Sequence, residues 1–163
     1  MQTNRIAFEH WLFAAWVLAL VSTLTAIPNS VFAGAEDIVV NGPWSRASIG
    51  ISRPGVAYLT IRNTGDAAMT LTGLRTEVAA MPQVHRTATD ASGVSSMTPA
   101  GEIEIAPAGT VALEPGGLHA MLMKLSRPLK EGESYSLILI FGDGSEVAVT
   151  VPVLGMGARG PEG

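Results

Sequence analysis

The stretch from residue 116 to 125, GGLHAMLMKL, sets one imidazole and two thioethers at every second position. Read as a strand, it turns His119, Met121 and Met123 to one face and Leu118, Ala120 and Leu122 to the other, because side chains alternate with period two. Imidazole is a borderline donor and thioether a soft one, so their pairing favours Cu(I) over zinc, magnesium or calcium. Taken alone, the stretch reads more readily as a core methionine with a histidine at its edge. A second histidine, His85, follows the turn-like Met81-Pro82-Gln83, and Met97 lies beyond it. The chain has Cys 0, which excludes disulfides, a thiolate nucleophile, cysteine zinc sites, iron–sulphur clusters and the cysteine of a blue-copper centre. Metal chemistry here must therefore use histidine, methionine, carboxylate or hydroxyl groups. With His10 in the amino-terminal segment set aside, the two remaining histidines, without an adjacent carboxylate, fall short of the three protein ligands of a catalytic zinc site, so a zinc hydrolase has little support. Ser45, Ser48 and Ser52 sit in no nucleophile motif, G-x-S-x-G does not occur, and Asp90 reads as a loop residue.

These donors need a scaffold, and 163 residues with a net charge of −4 suggest one domain. Charged residues make up 15%, while Gly 18 and Pro 10 supply abundant turn chemistry, which argues against a helical bundle. No Lys/Arg run exists to neutralise a row of phosphates, so nucleic acid is discarded as a partner. The amino terminus has a secretory layout: Arg5 precedes an uncharged stretch from Trp11 to Ala35 whose densest apolar part runs from Trp11 to Leu24. Pro28, Asn29 and Ser30 break that run before small residues, placing signal cleavage after Ala33 or Ala35, with no membrane insertion afterwards. The competing reading is an uncleaved anchor, although the apolar core is shorter than the ~20 residues a spanning helix needs. The expected domain is 36–153, and the Gly-rich tail 154–163 is expected to be disordered.

Short strands punctuated by turn residues fill that domain. Val56 to Arg62 ends at Asn63-Thr64-Gly65-Asp66; Met69 to Leu74 alternates weakly; Ile103 and Ile105 flank Glu104; Thr110 to Leu113 follows a Pro-Ala-Gly turn. The clearest hairpin runs from Ser136 to Phe141, turns at Gly142-Asp143-Gly144-Ser145 and returns through Val147, Val149, Val151 and Val153. Such spacing predicts an all-β antiparallel sandwich. Glu102, Glu104 and Glu114 read as a solvated strand edge.

The spacing His85, Arg86, ten residues, Met97, twenty-one residues, His119, Ala120, Met121 resembles the H-(M)-x10-M-x21-H-x-M pattern of the PCuAC periplasmic copper chaperones. Trp44-Ser45-Arg46-Ala47 is similar to that family's W-x-R-A, residues 57–63 (AYLTIRN) to its Y-hydrophobic-x-hydrophobic-x-N strand, and residues 114–123 (EPGGLHAMLM) to its P-G-G-x-H-x-M-L-M block. Together the likeness spans nearly all of 38–153. It implies a cupredoxin-like Greek-key β-sandwich, a single domain that is not an enzyme, and a Cu(I) site of His85, Met97, His119 and Met121. It also implies delivery in the periplasm to the binuclear copper centre of cytochrome c oxidase, on its copper subunit, with a thioredoxin-like Sco protein as co-worker. Arg86 departs from the family, standing where it often has an optional Met. Met81 and Met123 read as packing, rim or transient donors. The alternative function is a secreted β-sandwich adhesion or assembly module in which histidine and methionine are incidental; stoichiometric Cu(I) binding separates the two.

Overall fold

The computed structural model describes residues 35–161, so the expected export signal lies outside the described residues. After a single 3-10 turn at Ala35–Asp37 come ten strands: β1 (Ile38–Arg46), β2 (Gly55–Asn63), β3 (Met69–Thr76), β4 (Ala79–Thr89), β5 (Ser95–Pro99), β6 (Ile103–Ile105), β7 (Thr110–Leu113), β8 (Leu118–Leu125), β9 (Ser134–Phe141) and β10 (Glu146–Leu154). They form a cupredoxin-like β-sandwich. The ladder runs β5-β4-β8-β7-β2-β1-β10-β9-β3-β6, and the parallel contact of β1 with β10, Ser45 opposite Val153, joins its two halves. Among the described residues no helix is long and apolar enough to cross a membrane.

Burial explains why these segments are strands. Inward positions of β2, β8, β9 and β10 supply Ile61, Leu122, Leu137, Leu139, Val151 and Val153, each almost fully buried. Asn63, also fully buried, closes β2 by donating from Nδ2 to the carbonyls of Ala67 (2.7 Å), Ile105 (3.1 Å) and Ala106 (3.2 Å). Its Oδ1 accepts from Gly65 N at 3.0 Å. Every polar atom of that side chain is therefore satisfied, which burial requires. The carboxyl-terminal hairpin pairs as its period predicts, from Glu146 opposite Ile140 to Pro152 opposite Ser134.

The expected turn at Met81-Pro82-Gln83 is instead the middle of β4. Val84 O accepts from Ala100 N at 2.9 Å on the side away from β8, so even-numbered positions of β4 turn their backbone groups outward. β5 pairs with β4 only from His85 onward, which leaves Pro82 on an open edge where its missing N–H breaks no ladder bond. Of the Gly-rich segment, Leu154 completes β10, and Ala158 O accepts from Arg46 Nε at 2.8 Å.

Candidate metal centre

β4 and β8 run antiparallel with His85 directly opposite His119, Gln83 opposite Met121, and Met81 opposite Met123. Cross-strand partners share a face. The sequence placed His119, Met121 and Met123 on one face of a strand, and the register shows β4 supplying the other half of that surface. On the opposite face Ala120, Leu122 and Val84 enter the core.

Both histidines are buried, His85 at 7% exposure and His119 at 4%. Their ring centroids are 6.3 Å apart with planes inclined by 28°. A metal–nitrogen bond of about 2 Å, with a ring radius of about 1 Å, puts two centroids that share one ion roughly 5 Å apart at a tetrahedral angle and roughly 6 Å apart in line. The observed spacing lies at the open end of that range, so a small approach of the two rings lets them share one ion. Each ring uses Nδ1 in the same way: His85 Nδ1–H is 3.4 Å from Gln83 O, and His119 Nδ1–H is 3.2 Å from Gly117 O. These long hydrogen bonds to the carbonyl two residues upstream select the tautomer with a free lone pair on Nε2. In His119 that Nε2 is buried and has no hydrogen-bond partner among the described residues. Natural structures rarely leave such an atom unsatisfied.

The start of β8 is set by a tight turn. Gly117 N donates to Glu114 O at 3.1 Å, Pro115 takes the second position, and Gly116 takes the third with φ 86°. That is a type II turn, which suits Pro-Gly. Gly117 O then accepts from Thr87 N at 3.1 Å as well as from His119, tying the turn to β4.

Met121 is half-buried on β8, two residues from His119 on the same face. Met97 lies opposite Thr87 on the exposed edge strand β5, with 59% of its surface accessible. Thr87 is two residues from His85, so Met97 borders the histidine pair from the solvent side. Arg86 is exposed, and alternation places it on the face opposite His85. Among the described residues no three His, Cys, Asp or Glu side chains converge, and the side chains bordering the histidine pair on this face include the thioethers of Met97 and Met121. Asp90 is committed elsewhere. Its Oδ1 accepts from Ser92 Oγ (2.6 Å), Ser92 N (2.9 Å) and Val94 N (3.0 Å), closing the β4–β5 hairpin. The Ser92 hydroxyl, with these amides, holds its carboxyl below the usual range.

The same outer face continues onto β2 and β1. Tyr58 and Trp44 stand opposite each other with ring centroids 4.6 Å apart, and the Arg46 guanidinium carbon lies 5.6 Å and 5.7 Å from them. This cation–π cluster pins the carboxyl-terminal segment through Ala158. Burial raises the Tyr58 hydroxyl, with Arg46 opposing.

Sequence reasoning missed the carbonyls of Gln83 and Gly117 that orient the two rings. Both are backbone groups at the second position upstream, so no residue type marks them.

Comparison with known proteins follows the geometry. Residues 38–153 match a family model described as LpqE-like. A relative named "Putative lipoprotein Lxx21020", from Leifsonia xyli subsp. xyli (strain CTCB07), is 35% identical over 143 residues, covering 86% of this chain and 85% of its own. The solution structure of CuI-DR1885 from Deinococcus radiodurans is 31% identical with a TM-score of 0.57, over 84% of this chain and 85% of that one. A copper-bound PCuAC domain from PmoF2 is 23% identical with a TM-score of 0.61, over 73% of this chain and 93% of that one, and supports the fold.

Proposed function

The chain belongs to the LpqE-like family, and from that premise we propose that it is a copper chaperone whose cargo is one Cu(I) held by His85, Met97, His119 and Met121. The observation that carries this reading is the buried, unpartnered Nε2 of His119, on a residue directly opposite His85 across paired strands. A relative of 31% identity is named for its Cu(I) form, which supports the same metal and oxidation state. Two imidazoles and two thioethers are all neutral, so the ion keeps its single positive charge, and soft sulphur donors tolerate that better than they would a divalent ion. Zinc, which prefers nitrogen, thiolate or carboxylate, then binds poorly.

The arrangement suits transfer. The two histidines are rigid and buried, whereas Met97 stands on an exposed edge strand where an incoming donor reaches the ion first. Thioethers carry no proton, so their exchange requires none to move. The acceptor that the family likeness implies is the binuclear copper centre of cytochrome c oxidase, with a Sco-type protein assisting. We further propose export to the periplasm on the first 33 or 35 residues; the mass of the protein recovered from its native envelope decides between these cleavage points and an uncleaved anchor.

The test is an anaerobic Cu(I) titration against a competing chelator. The parent takes up one tightly held ion. His85→Ala and His119→Ala each lose at least about tenfold in affinity, or ~1.4 kcal/mol. Met97→Leu and Met121→Leu weaken binding while changing stability by less than ~1.5 kcal/mol, because the swap conserves volume. Unchanged affinity in both methionine variants would sink the ligand set, and no uptake at all would return the sandwich to an adhesion or assembly role.

A further inference from the structure

Two methionines remain outside that ligand set although they share its surface. Met81 and Met123 are direct cross-strand partners, one rung beyond Gln83 and Met121 and two beyond His85 and His119. Met81 is 45% exposed and Met123 half-buried. Neither fills the core, because the inward positions beside them are Pro82, Leu122 and Val84; Met81 borders an open cavity that it shares with Leu71 and Leu74 of β3. An exposed rung of this kind gains little from burial, so packing gives no reason for thioethers in register with each other and with a third on the same strand.

Their geometry suits a soft cation. Opposed residues in an antiparallel pair have Cβ atoms about 5 Å apart, and diagonal neighbours about 7 Å. Methionine has three rotatable bonds, so two opposed side chains can close on one ion from that separation. Met121, two residues from Met123 and diagonal to Met81, is within reach of the same ion. It also borders His119 on the other side.

We propose that Met81 and Met123, with Met121 shared between sites, form a second, thioether-only Cu(I) station beside the histidine pair. The station rests on the Cu(I) reading above and extends it from one site to two linked ones. Passage between them is ligand exchange alone: the copper–nitrogen bonds to His85 and His119 and the copper–sulphur bond to Met97 break as copper–sulphur bonds to Met123 and Met81 form, Met121 stays bound, and copper remains Cu(I) with no proton released. With no imidazole, the station holds its ion more weakly than the histidine site.

The experiment uses the full chain labelled with ¹³C-methyl methionine, titrated anaerobically with Cu(I) and, in parallel, with Ag(I) as a redox-inert probe. Single Met→Leu variants assign the methyl signals. The first equivalent shifts Met97 and Met121. The second shifts Met81 and Met123 and moves Met121 again, while Met69, buried at 4% exposure in the core, stays still as an internal control. A Met81→Leu/Met123→Leu double variant keeps the first equivalent and loses the second. Met81 and Met123 signals that stay fixed through two equivalents overturn the station while leaving the histidine site intact. A first equivalent that moves neither Met97 nor Met121 overturns the histidine–methionine reading on which the station rests.

Discussion

His119 concentrates the conflict between fold and function in one atom. A buried acceptor without a partner costs about 1–3 kcal/mol, and Nε2 of His119 is such an acceptor among the described residues. Its Nδ1 contact is long, and Gly117 O keeps its bond to Thr87 N if the ring is removed. His119→Leu is therefore expected to raise the stability of the copper-free protein by about 1 kcal/mol while abolishing Cu(I) uptake, read as a higher denaturant midpoint with unchanged slope. Destabilisation by a comparable amount would mark the histidine as a structural residue. Asn63 shows the opposite economy: it is fully buried with every polar atom paired, and it lies on the closing end of β2 away from the histidine pair.

At the scale of elements, the site depends on how β8 begins. Gly116 adopts φ 86° with nothing within 4 Å of a hypothetical Cβ, so a side chain there meets only backbone strain. An L-residue in the left-handed region costs roughly 1–2 kcal/mol. Gly144, in the β9–β10 turn, has φ 85° and equally open surroundings. Gly116→Ala and Gly144→Ala are thus expected to lose similar stability, about 1 kcal/mol each, and to differ in copper. Only Gly116→Ala displaces the Glu114–Leu118 turn whose Gly117 carbonyl orients His119, so it alone weakens Cu(I) binding. Equal copper affinity in the two variants would show that the turn does not position the ring. The edge position of β5 is the complementary device, leaving Met97 accessible while β4 and β8 hold the histidines.

The whole molecule is held by burial across the two halves, and Tyr135 reports on it. Its hydroxyl lies in the core at 4% residue exposure, near the Ser45 hydroxyl but with no well-formed hydrogen bond among the described residues; burial pushes it up to about 12, against a lesser pull from that Ser45 hydroxyl. A pKa raised in the folded state contributes stability that is complete below the unfolded value of 10.0 and is lost as pH rises toward 12. About 2–3 kcal/mol should therefore disappear over that window, and Tyr135→Phe should flatten the alkaline limb of a stability–pH curve. A parent and variant that fall together above pH 10 would place the alkaline sensitivity elsewhere. Asp90 and Asp143 give the acid limb. Each carboxyl is lowered chiefly by the neighbouring Ser92 or Ser145 hydroxyl, so its contribution is present above the ordinary 3.8 and fades as pH falls through the folded value.

Much of this was legible before folding, because alternation is a local property. The period of two in residues 118–125 already put His119, Met121 and Met123 on one face, and Gly-Asp-Gly-Ser between two apolar runs marked the β9–β10 hairpin. Zero cysteine already confined any metal chemistry to histidine, methionine and oxygen donors. Absent from local pattern were β4, disguised by Pro82, and the register that sets His85 opposite His119 rather than opposite Ala120. Proline reads as a breaker when its neighbours are unknown, and it is harmless here only because one side of β4 is open. Register is decided by the core face: Val84 must meet Ala120 and Pro82 must meet Leu122 for both strands to bury their apolar sides. A slip by one residue would turn those sides to solvent. The sequence thus determined which donors exist and which face of β8 carries three of them. Only tertiary packing decided that two histidines 34 positions apart in the motif stand ring to ring, since that distance is closed by burying the other face.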